Sequence, residues 1–367
     1  MRVAVLLARF FPSGQTVHAV ELAAALRRAG HEVTFIQTQA TGSDPCLRGH
    51  FLGVLHGAGV PVLGPERVSG PPAGLPPVDV VHAHSALDFG RAASLSGQLA
   101  APYVLTIHGV GLREYNAAAF IPGAAAVVAV ERRVAEDIRG LNAATVVIEN
   151  GVDTTRLCPP EEAEEDDQGR GRAAGGVHPF RIVYAGRIDS WKRPGFRELV
   201  TAAALLSRSH PVRLTVLSTA PPPVPGGLPR TAADLVDYRG WLPNPAEVFR
   251  RADLIVGVDR VIREGMAAGR PCAVLGRSYS GLVVPAALDP QAGHDFGGRG
   301  RSPPEAGTIL IDLLRLVTRP ELARRLGREG REYAVRHFSL EQSARKTVEL
   351  YEKVVGGLAP GGRLRRD

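Results

Sequence analysis

The chain has few cysteines and few aromatic residues, and each shortage excludes a class of protein. Its three cysteines, Cys46, Cys158 and Cys272, are far apart and show no paired spacing, so neither a disulfide framework nor a zinc site is predicted. Only 5% of the residues are aromatic, and no uninterrupted run of lysine and arginine is longer than two. Dedicated nucleic-acid binding, which uses basic stripes interleaved with aromatic side chains, is therefore not expected.

Long apolar runs are also missing. No segment approaches the ~20 consecutive apolar residues that a membrane-spanning helix needs. The apolar run near Met1 is interrupted at Arg9 without a cleavage-like site, which does not fit a signal peptide. These absences and the scattered cysteines predict a cytoplasmic protein in a reducing compartment. The formal net charge of +7 is spread along the chain, which suits a polyanionic small molecule or peripheral contact with an anionic membrane equally well.

Three familiar ligand-binding signatures are absent as well. The first predicted strand is not followed by Gly-x-Gly-x-x-Gly, and the chain has no Gly-Lys-Ser/Thr phosphate loop and no Gly-x-Ser-x-Gly elbow. The sequence therefore lacks the marks of Rossmann dehydrogenases, P-loop NTPases and α/β-hydrolases. At 367 residues, of which 44% are hydrophobic, the chain is long enough for about two domains.

What the chain does contain is a regular alternation of apolar and amphipathic stretches. Short continuous apolar runs predict buried strands, and longer stretches with helical periodicity predict helices between them. Such alternation is typical of parallel sheets covered on both faces. The predicted strands are residues 3–7, 31–37, 78–82, 103–107, 124–130, 145–148, 180–185, 212–217, 254–258 and 272–275; the predicted helices are 16–29, 86–99, 131–139, 195–207, 245–251, 305–317, 321–337 and 340–355.

One stretch interrupts this alternation and divides the chain. It begins with Pro159-Pro160, continues with an acidic run over 161–167 and is poor in hydrophobic residues, as in a linker or a solvated insertion. We therefore predict two α/β domains of similar plan, an amino-terminal one over residues 1–157 and a carboxyl-terminal one over 179–338. The linker spans 158–178, and a basic tail over 356–367 is expected to be disordered.

Two cations follow the first strand of the second half. Arg187 comes directly after Gly186 at the end of the predicted strand 180–185, and Lys192 lies five residues further on. A planar guanidinium and a compact ammonium together suit a diphosphate at the carboxyl end of a parallel strand. Either residue by itself would more simply be a solvated surface residue.

A carboxylate among small residues is the next candidate. Glu264 opens the sequence Glu-Gly-Met-Ala-Ala-Gly-Arg-Pro, which predicts a short helix that starts near Glu264 and ends at Gly269. This helix connects the predicted strands 254–258 and 272–275, and ligands of such units gather at the carboxyl ends of the strands. Glu264 could hold a sugar hydroxyl there or simply lie near a helix end, and Gly265 is small enough to let a ligand approach.

Histidines and one glycine complete the set. His82 and His84 lie two residues apart at the end of one predicted strand, and His108 ends another. No metal is predicted, because no further cluster at ligand spacing accompanies them. Imidazole suits a hydrogen bond to sugar or phosphate here, with His108 the better candidate and His82 an ordinary buried histidine. Gly14 either lets backbone N–H groups approach a phosphate or forms a simple turn.

In their order, these features resemble a known family. Over nearly the whole chain they are similar to the glycogen-synthase-like, retaining glycosyltransferases of the GT-B fold, glycosyltransferase family 4. Each motif alone is modest, whereas their number and order are specific. The motifs are 10–14 (Phe-Phe-Pro-Ser-Gly), 17–18, 30–33, 80–84, 106–109, 147–153, 186–189, Lys192 and 264–271.

The resemblance implies an α/β enzyme with two Rossmann-like, doubly wound parallel-sheet domains that face each other across a cleft. It implies a nucleotide-diphosphate sugar as co-substrate, no metal and no other cofactor. The acceptor would be a sugar or growing polysaccharide, a lipid-linked sugar or a small molecule. The last helix, 340–355, would pack back on the first domain.

The resemblance also implies roles for individual residues. Arg187 and Lys192 would neutralise the donor diphosphate and its leaving charge. Glu264 would hold the ribose hydroxyls, and backbone amides near Gly265 and Met266 would lie beside the phosphates. In the first domain, Gly14 would approach the donor phosphate and His108 would bond the transferred sugar.

The chain departs from the family pattern in two places. A glutamate is usual eight positions before the counterpart of Glu264, and that position is Val256 here, with Asp259 the nearest upstream carboxylate. The Pro-rich stretch 221–229 stands where a Gly-rich turn is common. Two other functions therefore stay open beside sugar transfer: a sugar-nucleotide epimerase of the same fold, and a nucleotide-sugar-binding paralogue with impaired catalysis.

Overall fold

The computed structural model describes residues 1–39, 45–65, 75–112, 116–159, 178–222, 235–290, 293–300 and 302–357. These residues form two compact units, one of Met1–Gly151 with the chain from Leu340 onward, the other of Val152–Ser339. Nearly all of the predicted linker 158–178, and the predicted tail from residue 358, lie outside the described residues. The domain limits inferred from the sequence stay predictions.

The first unit is built on a parallel sheet. Its described strands are hydrogen-bonded in the order β3-β2-β1-β4-β5-β6-β7, so that β1 and β4 lie at the centre. The side chains of β1 and β4 are almost all buried, as in a sheet covered on both faces. The strands are β1 (Arg2–Leu7), β2 (Glu32–Gln37), β3 (Val62–Leu63), β4 (Val80–Ala83), β5 (Tyr103–Ile107), β6 (Ala126–Ala129) and β7 (Thr145–Val147).

Helices cover this sheet. They are α1 (Gly14–Arg28), α2 (Pro45–Gly57), α3 (Phe89–Leu99), α4 (Arg132–Asp137) and the distant α10 (Leu340–Gly356). Helix α1 begins at an N-cap, since the Ser13 side chain accepts a hydrogen bond from the Thr16 N–H. Helix α10 packs against α1, and its buried Tyr351 reaches β4.

The second unit repeats the plan with one antiparallel strand. Its described strands have the order β10-β9-β8-β11-β12-β13; only the β12–β13 pair among them is antiparallel. Two apolar clusters lie on its two faces, one around Phe249 and Ile262 and the other around Phe196 and Leu313. The strands are β8 (Phe180–Ala185), β9 (Val212–Leu217), β10 (Val236–Tyr238), β11 (Leu254–Gly257), β12 (Cys272–Leu275) and β13 (Tyr279–Leu282); the helices are α5 (Arg193–Leu206), α6 (Ala246–Arg250), α7 (Arg260–Ala267), α8 (Ala306–Thr318) and α9 (Pro320–His337).

The sequence predicted most of these elements, and its misses have a common cause. The limits predicted for β5, β8, β9 and β12 agree with the structure, whereas α2, β3, β10 and β13 were not predicted. Residues 279–282 form the antiparallel edge strand beside β12. The three missed strands lie at sheet edges and carry weak periodicity, so pairing with a neighbouring strand decides them.

Among the described helices, none has the length and apolar character needed to cross a bilayer.

Candidate functional site

The two predicted cations lie at the carboxyl end of β8. Gly186 follows the strand with φ +132°, a conformation that side chains rarely adopt, and it turns the chain out of the sheet. Arg187 comes next and is exposed, while Lys192 is half-buried and immediately precedes α5. Because β8 pairs in parallel with β11, the residues that follow both strands emerge at the same edge of the sheet.

Lys192 lies in a mixed electrostatic environment. Burial lowers the pKa of its ammonium group, the nearby Arg187 adds to this, and Asp189 and Asp259 oppose it by favouring the charged form. The backbone N–H of Lys192 also donates to the carboxylate and to the carbonyl oxygen of Asp189, both at 3.1 Å. The loop therefore holds a partly desolvated cation between carboxylates, where electrostatic interactions are stronger than in water.

The connection from β11 to α7 is short and tight. A Cβ added to Gly257 would lie 2.9 Å from the Ala185 carbonyl oxygen, so the two strand ends approach too closely for any other residue. Asp259 follows with φ +50°, an unfavourable conformation for a residue with a side chain. Its N–H donates to the Phe296 carbonyl oxygen at 3.0 Å. Asp259, the upstream carboxylate nearest to Glu264 in the sequence, lies within electrostatic range of Lys192.

The structure corrects the predicted position of Glu264 in its helix. Helix α7 begins at Arg260, so Glu264 lies one turn inside the helix rather than at its start. Its carboxylate accepts a hydrogen bond from the Arg260 side chain at 2.8 Å, and both side chains are 9% exposed. The sequence could not show this because the three residues before Glu264 continue the helix without a distinct cap.

Gly265 and Met266 lie in the interior of the same helix. A Cβ at Gly265 would approach the Cys272 sulfur to 2.6 Å, and the Met266 side chain is fully buried in the apolar cluster around Ile262. Both residues therefore let α7 pack closely on the sheet, and a closely packed helix fixes the position of Glu264. Their contact with donor phosphates stays a prediction.

The position where the family pattern has an earlier glutamate lies inside the sheet. Val256 is 1% exposed and pairs with Tyr184 of β8 and Ala273 of β12. A carboxylate there would be buried among apolar side chains at a high desolvation cost. Only Val258 and Asp259 separate β11 from α7.

In the first unit, a predicted residue lies at a helix N-terminus. Gly14 is exposed and is the first residue of α1, directly after the N-cap Ser13. The first N–H groups of a helix have no partner inside the helix and attract anions. The geometry suits the anion contact that the resemblance implies, which stays a prediction.

Four histidines come together near the carboxyl ends of the central strands. His82 lies in β4, His84 just after it and His108 just after β5, while His18 comes from α1. The ring centroids of His18, His84 and His108 are 5.4 to 5.8 Å apart, and those of His82 and His84 are 4.2 Å apart. The sequence indicated His82, His84 and His108 but assigned no role to His18, since a histidine on an amphipathic helix carries no signal of its own.

The histidines differ in their hydrogen bonding. His82 agrees with its interpretation as a satisfied buried residue, because its ring nitrogens lie 2.5 Å from the Tyr351 hydroxyl and 2.7 Å from the Thr106 hydroxyl. By contrast, the Nε2 atom of His108 and both ring nitrogens of His84 are buried and have no hydrogen-bond partner among the described residues. A hydrogen-bonding group of His108 is thus left without a described protein partner.

Burial keeps His82, His84 and His108 neutral. It lowers the pKa of His82 and of His108 to about 3 and lowers the pKa of His84 as well, with further lowering of the His82 and His84 pKa values by neighbouring histidines. Neutral imidazoles can both donate and accept a hydrogen bond. Within the described part of the chain, no group of three or more His, Cys, Asp and Glu side chains has the geometry of a metal site.

Comparison with known proteins identifies the fold. Residues 12–156 match the family model described as Glycosyltransferase Family 4, and a search of curated proteins gives no match. The chain is similar to HepE of Anabaena, solved with UDP and glucose, at 17% identity over 95% of this chain and 98% of that one, with a TM-score of 0.68. It is similar to the sucrose-phosphate synthase of Thermosynechococcus elongatus at 19% identity over 97% of this chain and 99% of that one, with a TM-score of 0.66.

A third similar structure is MnaA of S. aureus, solved with UDP, at 13% identity over 97% of each chain and with a TM-score of 0.59. Identities this low carry the fold alone, and the fold agrees with the two parallel-sheet units described above. The fold predicted from the sequence is therefore confirmed: the chain has the two-domain, Rossmann-like GT-B fold, and most of its first unit is similar to glycosyltransferase family 4.

Proposed function

We propose that this protein is a retaining glycosyltransferase that moves a hexose-type sugar from a nucleotide-diphosphate sugar to an acceptor hydroxyl without a metal ion. One observation carries the proposal: Arg187 and Lys192 follow β8, while the strand beside it, β11, leads into the helix that holds Glu264. A cation pair and a carboxylate on adjacent units of a parallel sheet match the two ends of a nucleoside diphosphate. The family match and the UDP-containing structures of similar fold support it.

The cations bind the diphosphate. An exposed guanidinium forms paired hydrogen bonds with phosphate oxygens, and the partly desolvated ammonium of Lys192 acts as a point charge. As the bond to the sugar breaks, negative charge grows on the departing phosphate, and fixed cations stabilise that state most. This electrostatic role is the one that a divalent metal has in other transferases.

Glu264 binds the ribose hydroxyls, and Arg260 holds its carboxylate in place. The hydrogen bond between them is 2.8 Å long and orients the carboxylate, and each carboxylate oxygen can accept more than one donor. In the first unit, His108 offers its unpartnered Nε2 atom to a hydroxyl of the transferred sugar. Gly14 keeps the phosphate role that the resemblance implies.

The reaction exchanges one bond for another at the anomeric carbon. The bond from this carbon to the phosphate oxygen breaks, and its electron pair leaves with the nucleoside diphosphate. The acceptor oxygen attacks from the same face, and its proton passes to the departing phosphate oxygen. The enzyme contributes position and charge stabilisation rather than a covalent intermediate.

Release of nucleoside diphosphate from a panel of nucleotide sugars, with and without acceptors, tests the proposal. We expect at least one donor to be turned over, and we expect Glu264→Ala to lower kcat/KM about 100-fold, chiefly through KM, because a charged hydrogen-bond partner is lost. The matched control is Glu332→Ala, which removes an exposed carboxylate of the same unit and should leave kcat/KM unchanged. Donor binding without turnover of any donor would contradict transfer and favour the impaired paralogue, whereas interconversion of the donor sugar without transfer would favour the epimerase.

The finer parts of the proposal have their own tests. Proton coupling constants of the product anomeric centre should show the configuration of the donor, and an inverted centre would contradict retention. Turnover should persist after treatment with EDTA, and loss of activity that Mg²⁺ or Mn²⁺ restores would contradict metal independence.

A further inference from the structure

A cavity on the second unit is surrounded by arginines that the proposed reaction does not use. It has a volume of about 350 Å³ and is lined by Arg181, Arg213, Arg239 and Arg251, with Val183, Thr215 and Val248. It lies over strands β8 to β10 beside helix α6. The strand residues follow the period of two, since Arg181 and Val183 lie on one face of β8, and Arg213 and Thr215 lie on the same face of β9.

Two of these arginines are direct neighbours across the sheet. β8 and β9 run in parallel with Arg181 beside Arg213 and Val183 beside Thr215, and paired strands lie about 4.8 Å apart. Like charges placed side by side on one face of a sheet destabilise it. A neutral residue at either position would avoid that cost, and a bound anion would offset it.

Within the described part of the chain, nothing supplies that anion. Among the described residues, no carboxylate forms an ion pair or hydrogen bond with the side chain of Arg181 or Arg213; the Asp253 carboxylate accepts a hydrogen bond from the Arg181 backbone N–H, at 2.8 Å. The remaining two arginines do have partners. Arg239 lies 2.9 Å from Asp237, and Arg251 lies 2.5 Å from Glu247. Two guanidinium charges are thus left uncompensated at the cavity.

The charge and size of the cavity match one class of ligand. A phosphate monoester carries about −1.5 to −2 charges at neutral pH, which compensates two guanidinium groups, and arginine binds phosphate oxygens in pairs. Pockets for small organic ligands begin at about 300 Å³, so the volume admits the phosphate together with a small organic group. Val183 and Val248 would contact that group, and the Thr215 hydroxyl could accept or donate a hydrogen bond.

We propose that this cavity is a phosphate-binding site for inorganic phosphate or a small phosphate monoester, held between Arg181 and Arg213. Arg239 and Arg251 form the outer part of the site, where their solvent-accessible carboxylate partners, Asp237 and Glu247, can be exchanged for ligand oxygens at small cost. The site is independent of the proposed sugar transfer, since it shares no residue with Arg187, Lys192 or Glu264.

Calorimetric titration tests the site, with inorganic phosphate and glycerol 3-phosphate as probes and with chloride at equal ionic strength as the salt control. The background protein carries Arg187→Ala and Lys192→Ala, so that phosphate bound by those cations does not contribute. We expect saturable binding of at least one probe to this background. Adding Arg181→Gln and Arg213→Gln should weaken the binding at least about tenfold, because both charged donors are lost.

The matched control adds Arg197→Gln and Arg208→Gln instead. These arginines are exposed and lie in or just after α5, whose apolar residues pack on the opposite face of the same sheet. The same charge is removed, and the affinity should stay within about twofold. Equal weakening by both double substitutions, or no binding to the background protein, overturns the proposal. Comparable affinity for both probes identifies free phosphate as the ligand, while tighter binding of glycerol 3-phosphate identifies a monoester.

Thermal unfolding gives a second measurement that does not depend on knowing the ligand. Without phosphate, Arg181→Gln/Arg213→Gln should unfold at the same temperature as the parent or a higher one, because like-charge repulsion is relieved. With phosphate, and in the Arg187→Ala/Lys192→Ala background, only proteins that keep both Arg181 and Arg213 should gain stability beyond the gain in chloride. A lower unfolding temperature for the double variant in the absence of phosphate would show that the pair is structural and would overturn the site.

Discussion

The two units have the same architecture but place opposite kinds of side chain at the carboxyl ends of their central strands. In the first unit, the strand ends hold buried imidazoles, one of which is bonded to Tyr351 from a helix at the far end of the chain. In the second, they hold Arg187, Lys192 and Asp259, which are exposed or half-buried. The comparison teaches that a parallel sheet provides only the location of a site, while burial decides whether that site is neutral or charged.

This difference has a chemical consequence. Neutral imidazoles such as His108 can donate and accept hydrogen bonds, which suits sugar hydroxyls. Cations at a strand end suit the diphosphate, whose charge must be compensated. The proposal therefore assigns sugar contacts to the first unit, whose strand ends hold buried neutral imidazoles. It assigns diphosphate contacts to the second unit, whose strand ends hold exposed or half-buried charged residues.

Removing the two cations that follow β8 should have the largest effect on activity. We expect the double substitution Arg187→Ala/Lys192→Ala to lower kcat/KM for the nucleotide sugar about 1,000-fold or more, since each charge stabilises the leaving diphosphate. Thermal unfolding should change little, because Arg187 is exposed and Lys192 half-buried. Arg197→Ala, on the exposed surface of the following helix, is the control. An unfolded double variant would mean that these cations are structural and would remove the diphosphate assignment.

The neutral histidines of the first unit should make the stability of the protein depend on pH. The pKa of His82 is about 3 in the folded protein against about 6.5 in an unfolded chain, so the unfolded state binds the extra proton between these values. The stability that the neutral ring provides is fully present above about pH 6.5 and falls by about 1.4 kcal/mol per pH unit as the pH drops toward 3. Urea unfolding of the wild type across this range should show that loss.

The matched variants are His82→Asn and His56→Asn. His82→Asn should be less stable at pH 7 but should reduce the pH slope by about one proton. His56 is exposed on α2 of the same unit, and its substitution should leave the slope unchanged. If the slope of His82→Asn equals that of the wild type, the ring is not the buried neutral group that the comparison requires.

The smallest effect concerns the strained residue at the charged end. Asp259→Gly should stabilise the second unit by about 0.5–1 kcal/mol, because the favourable release of strain at φ +50° exceeds the entropy cost of glycine. Asp259→Asn keeps the side chain and should bring no such gain. Asp289→Gly, at an exposed loop position, should be neutral or destabilising. If turnover falls in both Asp259 variants, the carboxylate itself assists Lys192, whereas an unchanged turnover would limit Asp259 to a structural role.

Local sequence patterns predicted the strands of both sheets well and their edges poorly. Continuous apolar runs such as Tyr103–Ile107 and Cys272–Leu275 are decided by burial on both faces, which their own residues reveal. The edge strand Tyr279–Leu282 contains a glycine and a serine and becomes a strand only because β12 lies beside it. Its local propensity was too weak to indicate this pairing.

The candidate site was predictable to a similar degree. Arg187 and Lys192 follow a recognisable strand, so their place at its carboxyl end could be inferred. The position of Glu264 inside α7, its hydrogen bond with Arg260 and the buried environment of Val256 could not, because they depend on where the helix begins. The start of helix α7 lies just after Gly257, which closely approaches Ala185 on the neighbouring strand.

By itself, the sequence determined the kind and order of most elements and the parallel α/β plan, because hydrophobic periodicity and glycine or proline punctuation act over a few residues. Only the tertiary structure decided which distant side chains meet. His18 joins His84 and His108, and Arg181 lies beside Arg213, only because the strand order and register of each sheet bring them together. Those two properties arise from packing the whole unit, and no short stretch of the chain contains them.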